Sequence, residues 1–249
     1  RRRDATAMTA TLAADLEPEE DALPPLGLVF DRRRPAGDQI YEALRKAIVS
    51  LRLAPGAAIS ENRICRQIGV SRTPVRAALI RLVEDGLIEV YPQKGSIVAP
   101  IKLSAVRDNH FIGKALELAV LARAAEAWTR PLSAKSHEIV ARQEAALAAQ
   151  DVETFHALDE AFHGAFCAAA GLPGVWSAIL TAKTRVDRVH RLAAIEGRLQ
   201  QVVVEHRAIL DALDAGDAAR ASERLDYHLE RAPSIMAGLI ATHEKYFVD

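Results

Sequence analysis

The chain has 249 residues, half of them apolar, and a formal net charge of −1 at pH 7. This length allows one large domain or two smaller ones with hydrophobic cores, and the composition is typical of globular proteins. No run of 18 or more uncharged apolar residues occurs, and no apolar stretch follows the N-terminal arginines. We therefore expect no membrane span, no secretory signal and a cytoplasmic protein, with Cys65 and Cys167 as reduced thiols.

The charge is unevenly distributed along the chain. Residues 35–100 carry nine Lys or Arg against six Asp or Glu, whereas residues 101–249 carry seventeen against twenty. The net charges are therefore +3 and −3, and all eight histidines fall in the second part. This asymmetry indicates a small basic domain followed by a larger acidic domain with a different task.

The segment before these two domains shows no sustained hydrophobic period. Residues 1–34 mix arginine runs, acidic residues and the motif "LPPLG". We expect a disordered tail whose arginines form a solvated basic arm, with contact to DNA phosphates as the alternative.

Residues 35–100 predict three short helices followed by a hairpin. Apolar residues at one-turn spacing indicate a first helix from Gln39 to Leu51, before the turn "LAPG". N-cap residues Ser60 and Ser71 begin a second and a third helix, which end at the glycines Gly69 and Gly86. Two β-rich runs, 87–91 and 96–99, flank a turn and form a two-stranded wing. This order is that of a winged helix-turn-helix.

In this fold the third helix enters the major groove of DNA with its N-terminal end first. Polar and basic residues at that end can contact phosphates or a guanine edge, and the wing tip can approach the neighbouring backbone. The alternative is a winged helix used for protein interaction. The predicted DNA-contacting residues are Ser71, Arg72, Thr73, Arg76, Lys94 and Gly95.

This region resembles the DNA-binding domain of the GntR family of bacterial transcription regulators. The signatures "LAPG", "GVSRTPVRAAL" and "DGLIEV" followed by "KGSIV" occur in the family's order over about sixty residues. One departure is Leu51, which stands where the family usually has glycine. The resemblance implies a DNA-binding regulator that acts as a dimer on two half-sites.

Residues 101–249 predict an all-α antiparallel helical bundle. Ala, Leu, Glu and Arg dominate, and breaks fall at "RPLSA", "QD", "GLPG", the region of Gly197 and "DAGD". The expected helices are 104–129, 133–149, 151–170, 174–193, 196–214 and 217–239.

Four residues of this bundle are candidate metal ligands. Asp159 and His163 lie four apart, on one face of a helix, where an isolated pair is more often a surface hydrogen bond. His206 and His228 are placed symmetrically about residue 217, in the "DAGD" turn, so in an antiparallel hairpin they lie at the same level. Three imidazoles and one carboxylate suit a divalent ion such as Zn²⁺, Ni²⁺ or Mn²⁺.

The second half resembles the FCD effector domain of the FadR subfamily, and six helices are typical of its VanR-like branch. The segments "LDEAFH", "VVEHRAIL" and "LDYHL" match that family's metal motif at these same four positions. The resemblance implies a small carboxylate effector beside the metal. The arginine that usually binds it is absent, since Gly113 and Lys114 stand in its place. Candidate substitutes are Arg185, Arg188 and Lys114.

The leading hypothesis is a dimeric, ligand-responsive transcription regulator, either a repressor or an activator, with a divalent metal and a carboxylate effector in its second domain. A metal-dependent enzyme, such as a hydrolase or an iron oxygenase, is the competing hypothesis. No general base or nucleophile is evident near the four ligands, and catalysis would not explain the winged helix. In a third hypothesis the metal is purely structural.

Overall fold

The computed structural model describes residues 23–92, 95–195 and 197–249. Two compact units divide the chain, with the boundary after Pro100. Within the described residues no helix combines the length and the apolar character needed to cross a membrane.

The first unit contains the helices and strands of a winged helix-turn-helix. The helices are α1 (Ala36–Val49), α2 (Glu61–Ile68) and α3 (Arg72–Glu84), and the strands are β1 (Ala58–Ile59), β2 (Ile88–Tyr91) and β3 (Gly95–Val98). The Ser60 hydroxyl caps α2 by accepting a hydrogen bond from the backbone N–H of Arg63. Gly69 ends α2 with a φ of 68°, a left-handed conformation that glycine adopts without strain. Only a few residues then separate α2 from α3, as the sequence predicted.

An apolar core holds this unit together. Ile40 and Leu44 of α1, Ile64 of α2 and Leu82 of α3 are fully buried in one cluster. Leu51, just after α1, has a φ of 62°. This is the left-handed region that a glycine would occupy with less strain, which explains why glycine is usual at this position in the family that the sequence resembles.

The wing differs from the prediction by one strand. The hairpin of β2 and β3 is present, but β1 adds to it, giving a three-stranded antiparallel sheet in the order β1-β3-β2. Ala58 pairs with Ile97 and Ile59 with Ser96. A strand of two residues is too short to produce a detectable alternation in the sequence.

The predicted disordered tail is wrong for residues 23–34. Leu23 and Leu26 are buried in the core of the first unit, and the backbone carbonyl oxygens of Pro24 and Pro25 accept hydrogen bonds from Gln67 and Arg52. The segment packs without forming a helix or a strand, so it has no helical or strand period to detect. Residues 1–22, including the first arginine triplet, lie outside the described residues.

The second unit is a bundle of helices, as predicted. The helices are α4 (Leu103–Glu126), α5 (Arg130–Ala148), α6 (Val152–Ala169), α7 (Val175–Ile195), α8 (Leu199–Asp214) and α9 (Ala218–Thr242). Asp151 and Asp217 cap α6 and α9 through hydrogen bonds from the backbone N–H groups of Thr154 and Arg220. The "RPLSA" segment is the first turn of α5 rather than a break, because Pro131 lacks only an N–H that a helix start leaves unpaired.

A short parallel pairing closes the bundle and was not predicted. Strand β4 (Ile101–Lys102) pairs with β5 (Phe247–Val248), which follows a 3₁₀ turn at Glu244–Tyr246. In the bundle itself, α5 packs against α6 and α8, α4 packs against α7 and α9, and α8 packs against α9. This arrangement brings α6, α8 and α9 to a common interior.

Candidate metal centre and DNA-contacting helix

The four predicted metal ligands come together inside the bundle. Asp159 and His163 lie on α6, His206 on α8 and His228 on α9, and one ligand atom from each lies within 4.8 Å of the other three. The Asp159 Oδ1 atom is 3.6 Å from His206 Nε2 and 4.0 Å from His163 Nε2. Such separations fit a group of atoms arranged around a common point that an ion could fill.

Each imidazole is oriented by an acceptor at its other nitrogen. Nδ1 of His163 lies 2.5 Å from Glu117 Oε2, and Nδ1 of His228 donates to Glu205 Oε2 at 2.7 Å. Nδ1 of His206 donates to the side-chain oxygen of Gln143 at 2.9 Å. Because carboxylates and amide oxygens only accept, the proton of each ring belongs on Nδ1 and Nε2 keeps its lone pair.

Packing fixes the rings further. His206 is fully buried and stacks on Phe162, with the ring centroids 3.8 Å apart and the planes 12° from parallel. Its Nε2 atom is buried and has no hydrogen-bond partner among the described residues. A buried acceptor without a partner costs free energy, which a bound cation at this position would recover.

Burial and mutual repulsion favour neutral imidazoles at two of these positions. Desolvation lowers the pKa of His206 well below its usual value, and the neighbouring His228 lowers it further. Desolvation also lowers the pKa of His228, although Glu205 opposes this shift. Both rings are therefore available as neutral ligands near pH 7.

The carboxylate is held in its ionised form. Burial alone would raise the pKa of Asp159, but Lys183, whose Nζ lies 3.8 Å from Asp159 Oδ2, and the imidazoles lower it well below the usual value. Lys183 itself is 7 % exposed and lies equally far from Asp187 Oδ1. Despite burial, these two carboxylates raise the pKa of Lys183, so it is a buried ammonium group.

A cavity of about 60 Å³, here called the inner cavity, adjoins this cluster. Asp159, His163 and His228 line it together with Lys183, and His156 also contributes to its wall. Lys183 was not among the predicted site residues. The available signal was its spacing to Asp187, which puts an ammonium and a carboxylate on one face of α7.

The first unit presents the predicted DNA-contacting end of α3 to solvent. Ser71, Arg72 and Thr73 are exposed, and the Ser71 hydroxyl makes no capping hydrogen bond to α3. Arg76 is also exposed but forms an ion pair with Glu61 of α2, at 3.3 Å. Gly95, with a φ of 95°, begins strand β3 of the wing, and Lys94 lies outside the described residues.

Two family models match the chain in the places that these sites occupy. Residues 36–98 match the bacterial regulatory proteins of the gntR family, and residues 112–231 match the FCD domain. An HTH-type transcriptional regulator from an unstable DNA locus of Streptomyces ambofaciens is 39% identical over 192 residues, which cover 76% of this chain and 80% of that protein. The chain belongs to the GntR family and carries an FCD domain. The HTH-type transcriptional repressor RspR of Escherichia coli K12 is 33% identical over 79% of this chain and 87% of its own length.

Solved structures of other GntR-type proteins share the fold. The structure of E. coli McbR/YncC superposes with a TM-score of 0.69 at 23% identity, over 84% of this chain and 98% of that one. A GntR regulator from Rhodococcus sp. RHA1 gives a TM-score of 0.67 at 24% identity, over 81% of this chain and 97% of that one.

Membership of the GntR family decides between a transcription regulator and a metal-dependent enzyme, the two classes of function that the sequence left open. The protein is a bacterial DNA-binding transcription regulator of the GntR/FCD type, and its relatives and domains indicate a regulator rather than an enzyme. Regulators of this type bind operator DNA through the first domain and small-molecule effectors through the FCD domain.

The structure does not bring the three predicted effector residues of this GntR protein to the inner cavity. Lys114 contacts Asp226 at 2.7 Å and Glu230 at 2.6 Å on α9, and none of Lys114, Arg185 and Arg188 lines that cavity. Arg188 is buried and Arg185 half-buried in α7. The cations that do line the inner cavity are Lys183 of the same helix and Arg198, which precedes α8.

Proposed function

We propose that this GntR regulator is a dimer whose FCD domain holds one divalent metal ion and responds to a small carboxylate. The metal ligands are Asp159, His163, His206 and His228. The observation that carries the proposal is the geometry of the imidazoles. All three rings have an acceptor at Nδ1, which leaves Nε2 for a common ion.

The charge around the cluster also favours a divalent cation. Ion pairs among the described residues link four carboxylates and two cations to the centre, including a contact of Arg198 with Glu205. These groups are Asp159, Glu117, Asp187, Glu205, Lys183 and Arg198. A charge of +2 would balance the difference, and buried charges without such balance are costly.

The ion would supply a positive centre with one or more open coordination positions, and three imidazoles with one carboxylate suit Zn²⁺, Ni²⁺ or Mn²⁺. Around it, Glu117, Gln143 and Glu205 hold the rings in place, and Phe162 supports His206 from one side. The residues therefore fit a metal in both ligand type and surroundings.

Metal analysis tests this proposal directly. We expect about one equivalent of metal per chain after zinc loading and dialysis, and a rise of Tm on adding zinc to the stripped protein. His206→Ala should abolish both effects. His137→Ala is the matched control, because this half-exposed histidine pairs with Asp214 away from the centre. Unchanged zinc stoichiometry in the His206 variant would contradict the proposed ligand set.

We propose that the effector binds in the inner cavity with its carboxylate directed to the metal and Lys183. The cavity volume, about 60 Å³, limits the part of the effector beside the metal to a few non-hydrogen atoms. Native mass spectrometry of the purified protein can detect a co-purified acid. In the zinc-loaded protein, Lys183→Met should weaken binding of the acid, whereas Lys114→Met, outside the inner cavity, should not.

A purely structural metal would give a different pattern of results. Zinc removal would then lower Tm, but no acid that binds the protein would change its affinity for DNA. An acid that shifts operator affinity in the zinc-loaded protein but not in the His206 variant would support the sensing role.

For DNA, we propose that Ser71, Arg72, Thr73 and Arg76 contact the major groove or its phosphates, with Gly95 and Lys94 at the wing. The exposure of the first three and the free Ser71 hydroxyl support this assignment. Operator affinity should fall steeply with salt. Arg72→Ala should weaken it by about 1–3 kcal/mol, and Arg142→Ala, an exposed arginine of α5, should leave it unchanged.

Dimerisation is supported by an exposed apolar patch on α4. Phe111 is 73% exposed and Ile112 is 49% exposed, although both are large apolar side chains. A symmetric dimer would cover such a patch and allow two winged helices to bind two half-sites. Sedimentation velocity should show a dimer that Phe111→Ser dissociates, while Phe111→Leu retains it. A monomer at micromolar concentration would contradict the proposal.

A further inference from the structure

A second and larger cavity lies beside the inner cavity. This outer pocket has a volume of about 440 Å³ and lies between the beginning of α8 and the second half of α9. It shares Ala193, Arg198 and Ile235 with the wall of the inner cavity, and the rest of its lining is different. Its size is within the range of pockets that bind small organic molecules.

The lining combines positive charge with an apolar surface. Arg198 and Arg231 contribute two guanidinium groups, and Ile235 and Leu239 contribute aliphatic side chains. Arg198 pairs with Glu205 through Nη2, and its buried Nη1 has no hydrogen-bond partner among the described residues. Arg231 lies over the ring of Tyr227, 5.2 Å from its centroid, and the described part of the chain places no carboxylate within ion-pair distance of it. Two cations thus face one carboxylate in this pocket.

We propose that the outer pocket is a separate binding site for a monocarboxylate with an apolar body. The carboxylate would accept hydrogen bonds from Arg198 and Arg231, and the body would lie along Ile235 and Leu239. A single negative charge balances the excess positive charge, and guanidinium groups bind carboxylates in a planar, charge-assisted geometry. The buried Nη1 of Arg198 would gain the acceptor that it lacks.

The site is connected to the candidate metal centre by a short chain of contacts. Glu205 Oε2 accepts from both Arg198 and His228, the latter at 2.7 Å. A ligand that takes hydrogen bonds from Arg198 leaves Glu205 a stronger acceptor for His228, which makes the opposite ring nitrogen a better metal ligand. This link rests on the proposed metal function, whereas the pocket itself does not. Because coupling is reciprocal, the metal and the carboxylate would each tighten the binding of the other.

Calorimetric titration of the full chain with hexanoate tests the proposal, with hexanamide as the uncharged probe of the same shape. We expect hexanoate to bind and hexanamide to bind at least about 10-fold more weakly, as the loss of a charge-assisted hydrogen bond predicts. Arg231→Gln should weaken hexanoate binding by a similar factor. Arg220→Gln, an exposed arginine in the first turn of the same helix, is its control.

Gly238 provides a variant that tests the location, because the structure has space for a side chain to begin there. It lines the outer pocket within α9, and a Cβ added there meets no atom within 4 Å. Gly238→Leu should fill the pocket and abolish hexanoate binding, while Gly238→Ala should bind with less than about a 3-fold change. Binding that survives in Gly238→Leu, or equal binding of the two probes, would overturn the proposed site.

The link to the metal is measured on the same samples. Hexanoate should bind about 3–10-fold more tightly to the zinc-loaded protein than to the chelator-treated protein, and Glu205→Gln should remove this difference. Equal affinity in the two states would overturn the link. A failure of the metal proposal would show separately, as absence of zinc binding while hexanoate still binds with its dependence on Arg231.

Discussion

The cores of the two units differ in the polarity of their buried side chains. In the described part of the first unit, the buried side chains are apolar except for Gln39. In the described part of the second unit, eight buried residues are polar or charged, and they include Glu117, Gln143, His163, Lys183 and His206. The contrast suggests that the first unit uses its interior for stability alone. The interior of the second unit instead holds polar and charged side chains in positions where apolar side chains could pack.

The largest expected change in the free energy of unfolding is that of a core substitution in the first unit. Leu82 of α3 is fully buried, and Leu82→Ala should cost about 2–5 kcal/mol, because it leaves a cavity in a small core. Thermal unfolding should show an early transition of the first unit, with loss of DNA binding. Zinc binding by the second unit should persist, and the exposed variant Ile80→Ala is the control. DNA binding unchanged at 37 °C would contradict this view of the small core.

The second effect depends on pH and belongs to the second unit. Burial and the nearby Arg191 lower the pKa of His156 to about 4, from an ordinary value of 6.5. A histidine with a lowered pKa in the folded state stabilises the fold above pH 6.5, and this contribution disappears as the pH falls from 6.5 through about 4. The loss should be roughly 3 kcal/mol between neutral pH and pH 4.

Denaturant unfolding of the metal-free protein at several pH values measures this dependence. His156→Gln should unfold with a flatter pH profile than the wild type, and the control His137→Gln, at a half-exposed position away from the candidate metal centre, should keep the wild-type slope. Identical slopes for His156→Gln and wild type would contradict the role of the buried ring.

A smaller effect concerns the stability that the buried polar atoms of the candidate metal site cost the metal-free protein. In the metal-free protein, His206 Nε2 and Gln143 Nε2 are buried without hydrogen-bond partners among the described residues. Replacing both residues by leucine should therefore raise the free energy of unfolding by about 1–2 kcal/mol while abolishing zinc binding. The single variant His206→Leu is expected to be less stable than the double variant, because it leaves Gln143 without its partner. A double variant less stable than the metal-free wild type would contradict this account.

The smallest effect concerns the backbone of the turn before α6. Gln150 is exposed and has a φ of 56°, a conformation that costs a side-chain-bearing residue about 1–2 kcal/mol. Gln150→Gly removes this strain but increases the entropy of the unfolded chain, so a gain of at most about 1 kcal/mol is expected. Gln150→Ala keeps the strain and serves as the control in chemical denaturation. A destabilised Gln150→Gly would show that the side chain contributes more than the turn geometry.

Local signals explain what the sequence could predict. N-caps such as Ser60, stop signals such as Gly69 and one-turn spacing are properties of neighbouring residues, so the helices of both units were found. The four candidate ligands followed from the same logic, since Asp159 and His163 share a helix face and His206 and His228 flank one turn. The spacing of the four residues predicted that they lie close together. In the structure, one ligand atom from each lies within 4.8 Å of the other three.

What the sequence could not show depends on contacts between distant elements. Glu117, Gln143 and Glu205 orient the three rings, and the pair of His206 and Gln143 is separated by 63 residues. Lys183 is unremarkable in the sequence until α7 packs against the bundle interior. The packed segment 23–34 gave no signal for a similar reason, because a segment without helix or strand has no hydrophobic period.

The short pairing of β4 with β5 places both ends of the second unit side by side. Phe247 and Val248, which follow α9, lie in register with Ile101 and Lys102, the first two residues after Pro100. A fusion partner attached after Asp249 would therefore emerge next to Ile101, where the second unit begins. The same proximity would let a peptide linker join the two ends of the bundle.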